Sequence, residues 1–224
     1  MMLSTRYFIL FLTIFISCFQ LIYGQKLTTG LSAGIVVSSI EDKDRLIGEK
    51  SDNTGLAVGG NFTLHLSEKF GLRTELGYER KGNTRTIESH DGQGTPTART
   101  VTSGLFDYLS LPLLAEFALG KKAKILVHLG TSISYLLKYT KKDTYGVSVT
   151  TTQTFDHTYA YKRLDFSLLG GLGFLLPINQ KWAVTGDARY FRGFVSLPEA
   201  ASRPEQRNFG FIARLGLRYV IKDF

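Results

Sequence analysis

Between residues 124 and 139 the chain reads KILVHLGTSISYLLKY, and its positions alternate in character. Ile125, Val127, Leu129, Thr131, Ile133, Tyr135, Leu137 and Tyr139 fall on one side, while Leu126, His128, Gly130, Ser132, Ser134, Leu136 and Lys138 fall on the other. A period of two is that of a β-strand, whose successive side chains point to opposite faces. The alternation recurs over 26–39, 54–66, 70–80, 105–119, 163–176, 181–191 and 208–221, which makes eight predicted strands. The connections are of two kinds. Those at 67–69, 120–123 and 177–180 are tight turns; those at 40–53, 82–103, 140–161 and 192–207 are long, polar and rich in Lys, Arg, Asp, Thr and Gly. Short and long connections alternate, so antiparallel strands put every tight turn and both termini at one end and every long loop at the other.

An even number of strands with short turns at one end and longer loops at the other is the pattern of an outer-membrane barrel. The two faces support it. The apolar sides are built of Leu, Phe, Ile and Val with almost no charge. The opposite sides carry Arg73, Glu75, Glu79, Glu116, Arg163, Asp165, Asp187, Arg189, Arg214 and Arg218, five cations and five anions. In a soluble barrel those charges would face water, and the aliphatics and aromatics of all eight strands would have to fit one small interior. With lipid outside, the charges turn inward, where a neutral, paired set is what enclosure demands. An eight-stranded barrel has an interior just wide enough for side chains to fill. The small residues Gly30, Ser32 and Gly34 leave space for Arg214 and Arg218 to reach toward Glu75 or Glu116. The expectation is an eight-stranded antiparallel up-and-down transmembrane β-barrel with a side-chain-filled polar lumen.

Aromatic residues sit at both ends of the apolar faces. Phe70, Phe117 and Trp182 adjoin short turns; Tyr78, Tyr139, Tyr190 and Phe209 adjoin long loops. Strand propensity alone favours such residues, but a place at the two rims is expected of membrane interfaces. Composition agrees: 12% of the chain is aromatic and 23 residues are Gly, ordinary for many strands joined by turns. The net charge of +8 has no Lys/Arg block on one face, so nucleic acid is not an expected partner.

The first 24 residues read as a cleaved signal peptide, leaving 25–224 as the barrel domain. Arg6 supplies the positive end, Tyr7 to Phe19 the apolar core, and Gly24 a small residue before Gln25, although Ile22 suits the cleavage site poorly. The segment is also just long enough for a membrane-spanning helix, and a lipoprotein reading would place the lipid on Cys18. Removing it takes away Arg6 and no acid, leaving +7, and takes away Cys18, the only cysteine. The mature chain then has no thiol or disulfide chemistry.

FDYLSLPLLAEFAL (106–119) resembles a strand of the PorT-like outer-membrane β-barrel family of Bacteroidetes-type bacteria. GLAVGGNFTLHLSEKFGLRTELGYERKG (55–82) is similar to that family's second hairpin and LDFSLLGGLGFLLPINQKWAVTGDARYFRG (164–193) to its third. The resemblance covers nearly all of the mature chain. It implies an outer-membrane location, both termini periplasmic and the long loops extracellular, and insertion by the barrel-assembly machinery. It also implies contact with outer-membrane lipid and with envelope or secretion-complex proteins, since the founding member is named for type IX secretion. Such chains usually end in an outward-phase aromatic; here Tyr219 and Ile221 hold that phase, whereas Phe224 is terminal but in the inward phase. A bulge near Lys222 would restore it.

Chemistry is sparse. No metal-ligand spacing joins His65, His90, His128 and His157, and Ser89-His90-Asp91 is the one local grouping of nucleophile, base and acid, better explained by loop composition. The glycines of LLGGLGFLL (168–176) open no helix, so they form no phosphate loop. No cofactor, metal or catalytic residue is expected. The reading is a non-enzymatic barrel acting as a structural or interaction scaffold. The alternatives are a narrow transport channel or secretion accessory, and a lipid-modifying enzyme on the barrel wall.

Overall fold

The computed structural model describes residues 26–42, 49–90, 92–93, 96–146, 150–198 and 205–222; the signal segment and Phe224 lie outside these. Its strands are β1 (Lys26–Asp42), β2 (Glu49–His65), β3 (Phe70–His90), β4 (Pro96–Leu119), β5 (Lys124–Tyr145), β6 (Thr151–Asp156), β7 (Leu164–Pro177), β8 (Trp182–Gly193) and β9 (Gln206–Lys222). All strands except β6 form a closed antiparallel ring in chain order, with β5 pairing β7 and β9 returning to β1. The closing seam runs from Leu27↔Lys222 to Asp42↔Gln206. Closure is what lipid demands, because an unpaired backbone group in hydrocarbon costs several kcal/mol.

The register fixes the dimensions. Hydrogen-bonded partners lead from Thr29 through Phe62, Thr74, Leu113, Thr131, Leu168, Arg192 and Phe209 back to Ser39, a stagger of 10 residues along β1. Eight strands about 4.8 Å apart with about 3.3 Å per residue then tilt about 40° around a radius of about 8 Å. On β3 the outward positions run from Phe70 to Arg80, about 33 Å along the strand and about 25 Å along the barrel axis, the height of a lipid-facing band.

The three tight turns are locally determined. Leu66 N–H and Ser67 N–H donate to Phe70 O, and Ser67 Oγ accepts from Phe70 N–H at 3.1 Å. Asn179 Oδ1 accepts from the N–H groups of Lys181 and Trp182 at 2.9 and 2.8 Å. Gly120 has φ +116°, and a Cβ there would meet Ala123 O at 2.3 Å, so only glycine suits this corner.

At the other end the structure departs from the expected long loops. Residues 82–90 continue β3 and pair with 96–105 of β4, from Gly82↔Leu105 to His90↔Pro96. The 140–161 segment also continues as sheet: β5 from Thr140 to Tyr145 pairs with β6, outside the ring. These stretches are polar on both faces, so alternation does not reveal them, but their many threonines favour strands.

One irregularity reverses a face. Asp107 pairs with Lys138 and Tyr108 with Leu136, which leaves Leu137 as an extra residue on β5. Such a bulge flips the side-chain phase beyond it. Tyr139, expected at the outer interface, is therefore buried inside the barrel, and Lys138 points outward.

Candidate functional site

The enclosed chemistry is one ion network spanning the lumen. Glu75 on β3 accepts two hydrogen bonds from Arg189 on β8, at 3.0 and 2.7 Å, and one from Arg214 on β9 at 2.8 Å. Arg73 Nε lies 2.7 Å from the same carboxylate. Arg189 also pairs with Asp187, and Arg214 with Glu79. Toward the short-turn end, Arg218 grips Glu116 on β4 with two hydrogen bonds of 2.7 and 2.8 Å. Glu116 also lies 3.1 Å from His128 Nε2 and 3.5 Å from Arg73. An ionised carboxylate only accepts, so Nε2 is the donor in the His128 contact. Register explains the reach: Arg214 pairs with Gly34, where a Cβ would meet Ala213 O at 1.9 Å and Arg214 Cα at 2.7 Å. A side chain there would push the two strands apart.

The strands supply these groups by phase alone. Arg73, Glu75, Glu79, Glu116, Asp165, Arg189, Arg214 and Arg218 are each less than 5% exposed, and Asp187 sits beside them with its side chain 6% exposed. Arg163 is not among them. It precedes β7, is exposed, and its Nη1 donates to Leu136 O at 3.1 Å and Leu137 O at 3.4 Å. The extended phase that would aim it inward begins one residue later, at Leu164. Lys81 takes the fifth cation's place. Its Nζ lies 3.3 Å from Glu79 and packs over the rings of Phe191 at 4.4 Å and Tyr108 at 5.2 Å. Lys81 keeps the inward phase of Arg73, Glu75 and Glu79, a signal that appears once β3 is allowed to run past Arg80. With Lys81 in place of Arg163, the lumen set keeps five cations and five anions.

Asp165 stands apart from the network. Its Oδ2 accepts from Asn208 Nδ2 at 3.0 Å, and Asn208 in turn donates to Tyr108 Oη at 3.2 Å. Between and above the charges lie apolar layers. Val36, Ala57, Leu114, Leu169, Phe191 and Ile212 form one cluster. Ile40, Phe106, Tyr108, Leu136, Tyr139 and Leu197 form another at the long-loop end, with Tyr161 packed on it. Phe106, Tyr139 and Tyr161 meet ring to ring at 4.3 to 5.0 Å. The lid is tied down by Lys162 N–H donating to Leu197 O at 2.7 Å and by the Tyr161↔Pro198 bridge.

The outer wall is the inverse. Leu31, Leu76, Leu113, Leu129, Leu172, Phe211 and Leu215 are all more than half exposed and unlike anything a soluble surface would show in one band. At its rims Phe70 meets Phe117 at 4.8 Å, Trp182 meets Tyr219 at 4.8 Å and Tyr190 meets Phe211 at 5.2 Å. Phe209 is half-buried on β9 and Ile221 exposed near its end. Tyr78 bonds Asp107, which also holds Arg80 Nε at 2.6 Å on the outer wall.

This inverted wall accords with what a comparison of sequences finds. The model of the outer membrane protein beta-barrel domain family matches residues 23–198. The chain belongs to this family. It is an integral β-barrel protein of the outer membrane, and its ion network lies in the interior of the membrane-spanning ring. No curated protein matches the chain. Among solved structures, this outer-membrane barrel is similar to a major outer membrane protein of Thermus thermophilus, at 13% identity and TM-score 0.46 over 89% of this chain and 100% of that one. It is similar to OprG of Pseudomonas aeruginosa at 12% and 0.44, over 88% and 96%. It is also similar to Ail of Yersinia pestis, solved with the heparin analogue sucrose octasulfate, at 12% and 0.40, over 87% and 99%.

Among the described residues no three His, Cys, Asp or Glu side chains group as metal ligands. His65 Nε2 lies 3.2 Å from Thr28 Oγ1, while Ser89 and His90 are exposed at the end of β3 and Asp91 lies outside the described residues. What the enclosed arrangement can do is hold opposite walls together. Arg189, Arg214 and Arg218 each reach from one side of the ring to acids on β3 or β4. Groups so placed are costly to leave unpaired.

Proposed function

We propose that the protein is a non-conducting, non-enzymatic scaffold of the outer membrane. Its barrel anchors and orients an extended sheet made by the upper parts of β3, β4, β5 and β6. The observation that carries this reading is the filled lumen. Cross-wall ion pairs occupy the middle of the ring, and the aromatic cluster of Phe106, Tyr139 and Tyr161 covers it at the long-loop end. A continuous water path would need both to move. What remains available to other molecules is the sheet beyond the lipid band, where every residue of β6 is exposed. In this reading both termini are periplasmic and the upper sheet is extracellular, the direction in which such barrels carry their longer connections. The finer assignment to the PorT-like family rests on the FDYLSLPLLAEFAL strand and the two hairpins, and an envelope or secretion complex is the class of partner it suggests. The test is affinity isolation from native outer membranes in mild detergent, with the wild-type chain and with a variant whose β5–β6 hairpin is cut to a short turn. The scaffold reading expects specific partners with the first and their loss with the second, both barrels remaining folded. An identical set of companions for the two would remove it.

A further inference from the structure

The rim where lipid meets the upper sheet, and the sheet above it, carry several outward arginines, and they are not treated alike. Arg80 pairs with Asp107 at 2.6 Å, Arg99 with Glu88 at 3.3 Å, Arg192 with Glu41 at 2.7 Å and Arg207 with Glu205 at 3.2 Å. Arg163 donates to two main-chain carbonyls, both through Nη1, and shares the field of Asp156 with Lys138 without a direct ion pair. A guanidinium has five N–H donors, so its Nε and Nη2 edge is left for something else. Lys138 stands beside it. Leu136 N–H donates to Arg163 O, and Lys138 follows two residues on, turned outward by the bulge at Leu137. Lys138 is 55% exposed, and the acid it faces, Asp156, is 3.9 Å away. One oxygen of that acid is already taken by the N–H and Oγ–H of Thr158. Two irregularities, the bulge and the late start of β7, thus bring two cations to one spot on the outer wall.

Below them runs an unbroken apolar ladder. Leu137, Tyr135 and Ile133 of β5 and Leu164, Phe166 and Leu168 of β7 are all exposed, with Tyr135 paired to Leu164 and Ile133 to Phe166. We propose that this strip is a binding site for a phosphate-bearing lipid. The phosphate lies between Arg163 and Lys138, and the acyl chains lie along the β5–β7 ladder. A planar, always-charged guanidinium and a point-charge ammonium at the edge of an apolar wall suit a headgroup phosphate and its chains together. A free phosphate would use only the upper half of the site. The site is on the outside of the wall and does not depend on whether the lumen conducts.

The test is native mass spectrometry of the full barrel released from neutral detergent, with dimyristoyl phosphatidic acid as the probe. Dimyristoylglycerol and inorganic phosphate serve as competitors. The expected result is one tightly held phosphatidic acid that neither competitor displaces. Replacing Arg163→Gln together with Lys138→Gln should weaken binding about a hundredfold, about tenfold for each charge-assisted hydrogen bond removed. Arg192→Gln, whose arginine already has Glu41, should change nothing. Asp156→Asn removes the nearby negative charge and should tighten binding about threefold. It keeps the proposal testable if the double variant fails to fold. Equal binding by the double variant and wild type, an equal loss in Arg192→Gln, displacement by inorganic phosphate, or no gain in Asp156→Asn would each overturn the site.

Discussion

Replacing Glu75→Gln removes the charge on which three arginines converge. Its carboxylate takes hydrogen bonds of 3.0 and 2.7 Å from Arg189 and 2.8 Å from Arg214, with Arg73 Nε at 2.7 Å. Glutamine keeps the shape, but one oxygen becomes an NH2 group that faces guanidinium donors. Breaking a buried pair by removing one partner costs about 3–5 kcal/mol. Here Asp187, Glu79 and Glu116 still serve the three cations, the last at 3.5 Å, so the lower end, about 3 kcal/mol, is expected. Glu79→Gln is the internal comparison. Glu79 serves Arg214, which keeps Glu75, and Lys81, which keeps the faces of the Phe191 and Tyr108 rings, besides Ser110 Oγ, and about 2 kcal/mol is expected. The assay is urea unfolding of the refolded barrel in micelles, followed by fluorescence of Trp182, the chain's one tryptophan, which lies on the outer wall. With a slope of about 2–3 kcal/mol/M, Glu75→Gln should lower the midpoint by about 1–1.5 M without changing the slope. A shift smaller than that of Glu79→Gln, or none, would refute the view that Glu75 is the hub.

Other consequences are direct. After envelope fractionation the protein should travel with outer-membrane markers and require detergent for release; recovery as a soluble monomer would contradict the barrel. Leu129→Arg, on the lipid face of β5, should cost about 2–4 kcal/mol when the barrel folds into vesicles, whereas Thr152→Arg on exposed β6 should stay within about 0.5 kcal/mol; similar costs would misplace the lipid band. The hydrogen bonds from Thr158 Oγ–H and N–H hold the Asp156 carboxyl below its ordinary range. A depressed acid lends order above the unfolded value of about 3.9 and loses it as pH falls through its lower folded value. The protection of the Thr158 amide, its exchange relative to the intrinsic rate at each pH, should therefore fall in acid, and pH-independent protection down through that range would count against the contact.

How much of this is legible in sequence depends on what each face carries. Where one side is apolar and the other polar, as from Lys124 to Tyr135, phase can be read directly and the inward set follows. At Tyr135-Leu136-Leu137 both faces are apolar, so an extra residue leaves no mark, and simple alternation then puts Lys138 and Tyr139 on the wrong sides. Lys81 escapes the pattern because the outward face turns polar at Arg80, where alternation ends the strand. Arg163 enters the inward set because alternation says nothing about where a strand begins. The upper hairpins, polar on both sides, carry no periodic signal at all. Pairing across the lumen is a different matter. Gly30 and Gly34 beside Arg218 and Arg214 announce long side chains needing space, but which acid each reaches depends on a stagger that only the closed ring defines.

The central claim is that the lumen is sealed by paired charges beneath an aromatic lid. Planar-bilayer recording of the purified barrel tests it most directly. The wild type should give a flat baseline without stable steps, and Arg214→Ala with Arg218→Ala, which empties one side of the network, should introduce unstable openings or lower the stability of the fold. Large, regular conductance steps from the wild-type barrel would contradict the sealed lumen and make the protein a channel.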